Sequence, residues 1–197
     1  RITDAAEAIE QAGSAGEFAL SMSQNHESLW KMGATGTIGL EIAEDLPEVR
    51  TVFVPVSGGG LASGIGTAIK ALCPEAVVIG VEPELAADTA EGLALGRRVD
   101  WPITDRNRTI ADGLRSQPSE LTFAHLQNVL DEIITVSEAE IRSGVRELAF
   151  RARLVAEPSG AVALAGYRKV AAPAGPAVVI LSGGNVAPEM LGQILAG

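Results

Sequence analysis

The sequence predicts an α/β fold in which an open, mostly parallel sheet carries helices on both faces. Four apolar runs of strand length are separated by segments with helical spacing, which is the pattern of βαβ units. Each run is short and continuously apolar, as expected of strands that are buried on both faces. A chain of 197 residues that is 47% hydrophobic can also bury a substantial core.

The predicted strands are apolar runs of four or five residues. They cover residues 52–56, 77–81, 133–136 and 177–181. Because strands of this kind alternate with helices, we expect their carboxyl ends to meet at one edge of the sheet.

The predicted helices follow from apolar spacing and from capping residues. A helix after the first strand is indicated by apolar residues at i, i+4, i+8 and i+11, namely Leu61, Ile65, Ile69 and Leu72. Ser137 and Glu140 form a capping-box pattern at the start of a later helix. Pro158 marks the first turn of a helix running to about Val170, which Gly166 is expected to make less regular. Residues 97–119 are interpreted as a long connection.

The net charge of −10 argues against binding to nucleic acid or to anionic membrane surfaces. No apolar run approaches the roughly 20 residues that cross a bilayer, and no secretory signal is visible. The single cysteine, Cys73, cannot form an internal disulfide. We therefore expect a cytoplasmic protein with no nucleic-acid or membrane partner.

A glycine-rich motif, SGGGL at residues 57–61, comes directly after a predicted strand and before a predicted helix. Consecutive glycines let the backbone approach a ligand, and the helix start presents free N–H groups to an anion such as phosphate. A plain tight turn is the alternative. A dinucleotide fingerprint with Glu82 as the ribose-binding acid is a further one, although Ser63 occupies its third glycine position.

A second glycine-rich motif, SGGN at residues 182–185, also follows a predicted strand. Both loops would open at the same edge of the sheet, where ligands of open α/β folds bind. Ser182 could offer a hydroxyl to a ring nitrogen of a phosphorylated heteroaromatic ligand, or it could simply cap the next helix.

An acidic stretch at residues 82–88 follows the second predicted strand. Glu82, Asp88 and a backbone carbonyl between them are oxygen ligands suited to Mg²⁺ or Ca²⁺, although such a stretch can also be a solvated loop. The two histidines, His26 and His125, have no cysteine or acid at metal-ligand spacing.

Five motifs occur in a characteristic order. They are VPVSGGGLASGIG, VIGVEPELAAD, RTIADGL, VAEPSGAVALA and VILSGGNV. From about Met32 to the C-terminus, the chain closely resembles the larger-domain half of fold type II pyridoxal-phosphate enzymes, the threonine dehydratase and serine racemase group. The resemblance implies a tryptophan-synthase-β-like fold and pyridoxal 5'-phosphate as the cofactor.

The resemblance also implies the roles of individual residues. The cofactor phosphate would be held by Ser57, Gly58, Gly59, Gly60 and Leu61. The pyridine nitrogen would accept or donate a hydrogen bond at Ser182, while Gly113 would line the cofactor and Glu157 would lie near its ring. Glu82, the carbonyl of Ala86, and Asp88 match the Mg²⁺ or Ca²⁺ site of racemase-like members.

The activity implied by the resemblance is α,β-elimination from a small β-hydroxy amino acid, of the L-threonine or L-serine type, to a 2-oxo acid and ammonia. A serine or other amino-acid racemase of the same family is the alternative. Two other classes stay open: an NAD-binding oxidoreductase domain and a non-catalytic metabolite-binding lobe. The intact enzyme would be a homodimer or a higher homo-oligomer.

The chain departs from the family pattern at three places. Ser57 stands where glycine is commonest, and residues 24–35 differ from the usual sequence. The motif with the Schiff-base lysine is absent, so no catalytic residue is assigned, and neither Lys31, Lys70 nor Lys169 matches it. We therefore expect residues 1–197 to be a portion of the large cofactor-binding domain, with 1–31 a remnant of the segment that links it to the small domain.

Overall fold

The computed structural model describes residues 29–197, and the side chains from Thr35 onward. Within this range four parallel strands form one sheet in the order β3-β2-β1-β4. The strands are β1 (Thr51–Pro55), β2 (Val77–Pro83), β3 (Glu132–Val136) and β4 (Ala177–Val179). The predicted open parallel sheet is confirmed, and each strand lies within two residues of its predicted bounds.

The register of the sheet aligns the strand starts. Thr51 at the start of β1 is paired with Val77 of β2 on one side and Ala177 of β4 on the other. Since all strands run in the same direction, the loops after β1, β2 and β4 leave from one edge of the sheet. This carboxyl edge is where both glycine-rich motifs and the acidic stretch begin.

The helices of the described range lie before, between and after the strands. They are α1 (Leu29–Asp45), α2 (Gly60–Leu72), α3 (Asp88–Leu95), α4 (Ile103–Arg106), α5 (Glu120–Val129), α6 (Glu138–Glu147), α7 (Pro158–Lys169) and α8 (Pro188–Ala196). Short 3-10 turns cover Glu84–Ala86 and Asp112–Leu114, and a π-turn, Leu148–Ala152, extends α6.

Of two predicted helix features, one is confirmed and the other is wrong. The capping box of Ser137 and Glu140 is present at the start of α6, as predicted. The prediction of an irregular α7 is wrong, because the helix runs without a break. Gly166 instead lets α7 approach the sheet, since a Cβ there would lie 2.6 Å from Val81.

The core lies on both faces of the sheet because alternate residues of β1 point in opposite directions. On one face Val52 and Val54 pack with Ile65 of α2 and Leu126 of α5. The other face holds a second cluster, which is formed by Phe53, Val81, Ile141 and Val162. Helices therefore cover both faces of the sheet, as predicted.

Among residues 29–197 there is no helix with the length and apolar character needed to cross a bilayer.

Candidate functional site

A cavity of about 290 Å³ lies at the carboxyl edge of the sheet, and we refer to it as the edge cavity. It brings together every residue that the sequence analysis assigned to a cofactor, namely Ser57, Gly58, Gly59, Gly60, Leu61, Gly113, Glu157 and Ser182. Pro55, Ala62, Leu114, Ser116 and Ser159 complete the lining. Residues from four separate segments thus meet around one concave site, which is the usual form of a small-molecule site.

The floor of the edge cavity is the turn between β1 and α2. Gly59 caps α2 with a φ of +85°, in the left-handed region that favours glycine. A Cβ on Gly59 would also lie 3.0 Å from Thr122 and from Leu126. The first N–H groups of α2 have no partner within their own helix, and the helix dipole adds partial positive charge there. This end of the edge cavity can therefore hold an anion such as phosphate.

The Ser57 side chain is held by a neighbouring segment. Its hydroxyl donates to the carbonyl of Ser116 at 3.0 Å and accepts from the Ser116 N–H at 3.0 Å. This pair of bonds, which we call the serine clasp, occupies the hydroxyl with protein backbone. The side chain at position 57 thus ties the glycine loop to the segment beside it.

The loop after β4 packs directly on the start of α7. A Cβ on Gly183 would overlap the Glu157 carboxylate, and a Cβ on Gly160 would overlap the Gly183 carbonyl. The Glu157 N–H donates to the Gly183 carbonyl at 3.2 Å. These close approaches place Glu157 and Ser182 on the same wall of the edge cavity.

Ser159 is a lining residue that the sequence analysis missed. Its side chain is buried, accepts from the Gly113 N–H at 2.9 Å and donates to the Asp112 carboxylate at 3.4 Å. Ser159 therefore fixes the turn around Gly113 against α7. No local signal marks this role, because the bond from the Gly113 N–H joins residues 46 positions apart.

The acidic stretch places Glu82 and Asp88 inside the protein. Glu82 is 1% exposed, and its carboxylate accepts from the N–H groups of Thr89 at 3.3 Å and Ala90 at 2.8 Å. Burial raises the pKa of Glu82 to about 8, and the charge of Asp88 adds to this shift. Ala86, whose carbonyl was predicted to join them, is buried in the 3-10 turn between the two acids.

Asp88 carries an unsatisfied buried oxygen. Its Oδ2 has no hydrogen-bond partner within residues 29–197, and burial raises its pKa to about 6 although the charge of Arg106 opposes the shift. Two buried carboxylates with an orphaned oxygen fit a hard cation. Among the described residues there is no cluster of three or more His, Cys, Asp and Glu side chains that could hold a metal. The predicted set has only two carboxylates, and its third ligand is a backbone carbonyl.

The lysines with described side chains, Lys70 and Lys169, do not line the edge cavity. Lys70 Nζ lies 2.5 Å from the Asp131 carboxylate and donates to the Ala76 carbonyl. Lys169 Nζ donates to the Thr135 carbonyl at 2.9 Å. The side chain of Lys31 lies outside the described range, as do the side chains of His26 and of the other residues in 24–34.

Comparisons with known proteins confirm the family resemblance. A family model described as pyridoxal-phosphate dependent enzyme matches residues 2–183. L-threonine ammonia-lyase of Thermotoga maritima is 40% identical over 162 residues, which cover 81% of this chain and 40% of that protein. Serine racemase of Arabidopsis thaliana is 35% identical over 158 residues, which cover 77% of this chain and 47% of that protein.

Comparison with solved structures finds proteins of the same family. The solved structure of maize serine racemase superposes with a TM-score of 0.77 at 34% identity, covering 86% of this chain and 53% of that chain. The chain thus spans half or less of the length of the two curated relatives described above.

Proposed function

Because this chain belongs to the pyridoxal-phosphate-dependent family that includes threonine dehydratases and serine racemases, we propose that it supplies the cofactor site of an ammonia-lyase. The substrate would be a small β-hydroxy amino acid of the L-threonine or L-serine type, and the products a 2-oxo acid and ammonia. The observation that supports this proposal is the edge cavity, where two glycine-rich loops and the Gly113 turn meet. Racemisation is the second candidate, favoured by the similarity to serine racemases.

The glycine loop would hold the cofactor phosphate. Gly58, Gly59 and Gly60 line the edge cavity with backbone, and the start of α2 contributes partial positive charge there. The Ser57 hydroxyl already bonds to the Ser116 backbone, so Ser57 would contact the phosphate through its own backbone. The loop would therefore bind the phosphate mainly through backbone N–H groups.

The opposite wall would face the cofactor ring. Pyridoxal phosphate, when bound, serves as an electron sink that stabilises negative charge at the substrate Cα. The Ser182 hydroxyl would meet the pyridine nitrogen, and being neutral it does not require that nitrogen to be protonated. Glu157 would lie near the ring, and the Gly113 backbone, held by Ser159, would close the side of the site.

The NAD-binding alternative loses its main support in the structure. A ribose-binding acid has to offer its carboxylate to the ligand at the glycine loop. Glu82 is instead 1% exposed, and both of its oxygens accept N–H groups from α3. The Glu82 carboxylate therefore does not face a ligand at the glycine loop.

We propose that none of the three lysines of this chain holds the cofactor covalently. The chain should bind pyridoxal phosphate reversibly, and borohydride reduction followed by peptide mass analysis should find no adduct on Lys70 or Lys169. The same digest covers Lys31. Without that amine, the isolated chain should not deaminate L-threonine or L-serine. An adduct on any of the three lysines would overturn this assignment, whereas a lack of saturable cofactor binding would overturn the proposed site itself.

A divalent cation, Mg²⁺ or Ca²⁺, would be held by Glu82, Asp88 and the carbonyl of Ala86. A cation that binds only the folded chain should stabilise it by about 2.7 kcal/mol at a hundredfold excess over its Kd. Thermal unfolding with either metal should show this increase for the native chain and not for Asp88→Asn. An equal increase in both proteins would contradict the assignment.

We also propose that the intact enzyme is a cytoplasmic homodimer or higher homo-oligomer. The π-turn after α6 and the loop that follows it leave Phe150 and Val155 each 63% exposed, which is apolar surface suited to a contact. Cys73 is buried and free, in keeping with a reducing compartment. The sedimentation behaviour of the intact enzyme tests the oligomer, and a monomer at all concentrations would disprove it.

A further inference from the structure

A second cavity, of about 550 Å³, borders the same segment that lines the edge cavity. Gly113 and Leu114 face the edge cavity, Asp112 and Arg115 face the second cavity, and Ser116 contributes to both. We call the second cavity the arginine groove, because its lining also includes Arg98 and Arg106. Asp112 is its single acidic lining residue, so its lining holds three guanidinium groups and one carboxylate in a chain whose net charge is −10.

Arg106 is an almost buried cation without a close anionic partner. It is 8% exposed, and its Nε donates to the Trp101 carbonyl at 3.2 Å while Nη1 donates to the Arg115 carbonyl. No carboxylate within residues 29–197 lies within 4.0 Å of it, and Asp88 acts on it from farther away. A guanidinium has five N–H donors, and a buried charge is usually paired.

Arg115 also has a guanidinium donor without a hydrogen-bond acceptor in the described part of the chain. Its Nη2 donates to the Thr109 carbonyl, while its buried Nε has no acceptor anywhere in the described part of the chain. Arg98 does have anionic partners, Asp100 and Glu120, but their side chains are 69% and 79% exposed. Such exposed ion pairs contribute little and can yield to a ligand.

The neutral side chains of the groove add further donors. Asn107 and Gln117 both line it, and the Gln117 amide donates to the Trp101 carbonyl at 3.4 Å. The groove therefore offers many N–H groups and few acceptors. This composition complements an oxyanion, because guanidinium groups bind carboxylate and phosphate oxygens through charge-assisted, often paired, hydrogen bonds.

We propose that the arginine groove is a second ligand site, separate from the cofactor site, for a small oxyanion that carries phosphate or carboxylate oxygens. The ligand would bind between Arg98, Arg106 and Arg115. Because Ser116 belongs to the groove and also forms the serine clasp with Ser57, an occupied groove would steady the wall of the edge cavity. The groove is thus positioned to influence cofactor binding without contacting the cofactor.

Amide-resolved NMR of the chain tests the proposal with inorganic phosphate and malonate as probes, each at constant ionic strength. Saturable shifts of the Asn107 and Gln117 side-chain amides would report the groove. Shifts of Gly58, Gly59 and Gly60 would report phosphate in the edge cavity, so the two sites are read separately. Phosphate acting alone at Asn107 and Gln117 would identify a phosphate site, and malonate acting alone would identify a carboxylate site. Shifts no larger than those produced by chloride would overturn the proposal.

Two arginine variants locate the ligand, and a third serves as the control. Arg115→Gln and Arg98→Gln should each weaken binding in the groove by about tenfold or more, since each removes a charged donor. Arg108→Gln is the matched control, because Arg108 belongs to the same segment but lines a different cavity. If Arg115→Gln loses the folded spectrum, Arg98→Gln decides, since its ion pairs are on the surface. Unchanged affinity in the folded variants would overturn the proposal.

Discussion

The Ser57 side chain ties the glycine loop to a neighbouring segment. Ser57→Gly would remove both hydrogen bonds of the serine clasp. Each bond contributes about 0.5–1.5 kcal/mol, and glycine adds freedom to the unbound loop. We expect the affinity for pyridoxal phosphate to fall by about tenfold, measured by fluorescence titration.

Ser63 provides the control for this experiment. It lies on α2 close to the same loop, it is fully buried, and its hydroxyl has no partner within the described range. Ser63→Ala should therefore leave cofactor affinity unchanged. If Ser57→Gly binds as tightly as the native chain or as Ser63→Ala, the serine clasp has no role in holding the loop.

The sequence groups the candidate site residues into motifs, whereas the contacts between motifs could not be predicted from it. The eight residues assigned to the cofactor lie in ordered motifs, and the structure brings them to one cavity. Ser116 and Ser159 were missed because their roles depend on distant partners. The serine clasp joins residues 59 positions apart, and the bond from Gly113 to Ser159 joins residues 46 positions apart.

The capping box of α6 gives a prediction at the scale of an element. Partial burial would raise the pKa of Glu140, but hydrogen bonds from Ser137 and the charge of Lys169 outweigh it, so the pKa is lowered from 4.5. A lowered pKa in the folded state means that the carboxylate stabilises the fold above pH 4.5 and loses this effect as the pH falls. Because glutamine keeps the capping hydrogen bonds and removes only the charge at the helix start, Glu140→Gln should cost at most about 1 kcal/mol at pH 7 and less at low pH.

Urea unfolding at pH 7 and near pH 3.5 measures both parts of this prediction. Glu48→Gln is the control, since Glu48 is an exposed loop residue outside any capping position. It should leave the free energy of unfolding within about 0.5 kcal/mol of the native value at both pH values. A deficit for Glu140→Gln that is the same at both pH values would show that its charge does not stabilise the helix start.

The elements themselves were predictable where a strong local pattern exists. Continuous apolar runs indicated all four strands of the described sheet, and the Ser137 capping box marked the start of α6. The helix α5 was not predicted, although a capping box formed by Ser119 and Thr122 begins it. Threonine replaces the usual Glu or Gln in that pattern. The regular course of α7 also escaped prediction, because the reason for Gly166 is a contact with Val81 on another element.

At the scale of the whole molecule, parallel topology gathers the chemistry at one edge. The neighbouring strands β1 and β4 each end in a glycine-rich loop, and β2, which pairs with β1 on its other side, ends at the buried acids Glu82 and Asp88. The sites lie side by side because adjacent parallel strands deliver their loops together. The parallel sheet thus brings the candidate anion site and the candidate cation site to the same edge.

This arrangement predicts how ligands change the stability of the whole chain. Pyridoxal phosphate bound to the folded chain, at about a hundredfold over its Kd, should add about 2.7 kcal/mol, which for a domain of this size raises Tm by roughly 5–10 °C. Pyridoxal, which lacks the phosphate, should have little effect at the same concentration, because the glycine loop and the start of α2 would have no anion to bind. NAD should also have little effect, since Glu82 is buried. Thermal unfolding with the three ligands checks this order, and an equal shift with pyridoxal would mean that the glycine loop does not bind the phosphate.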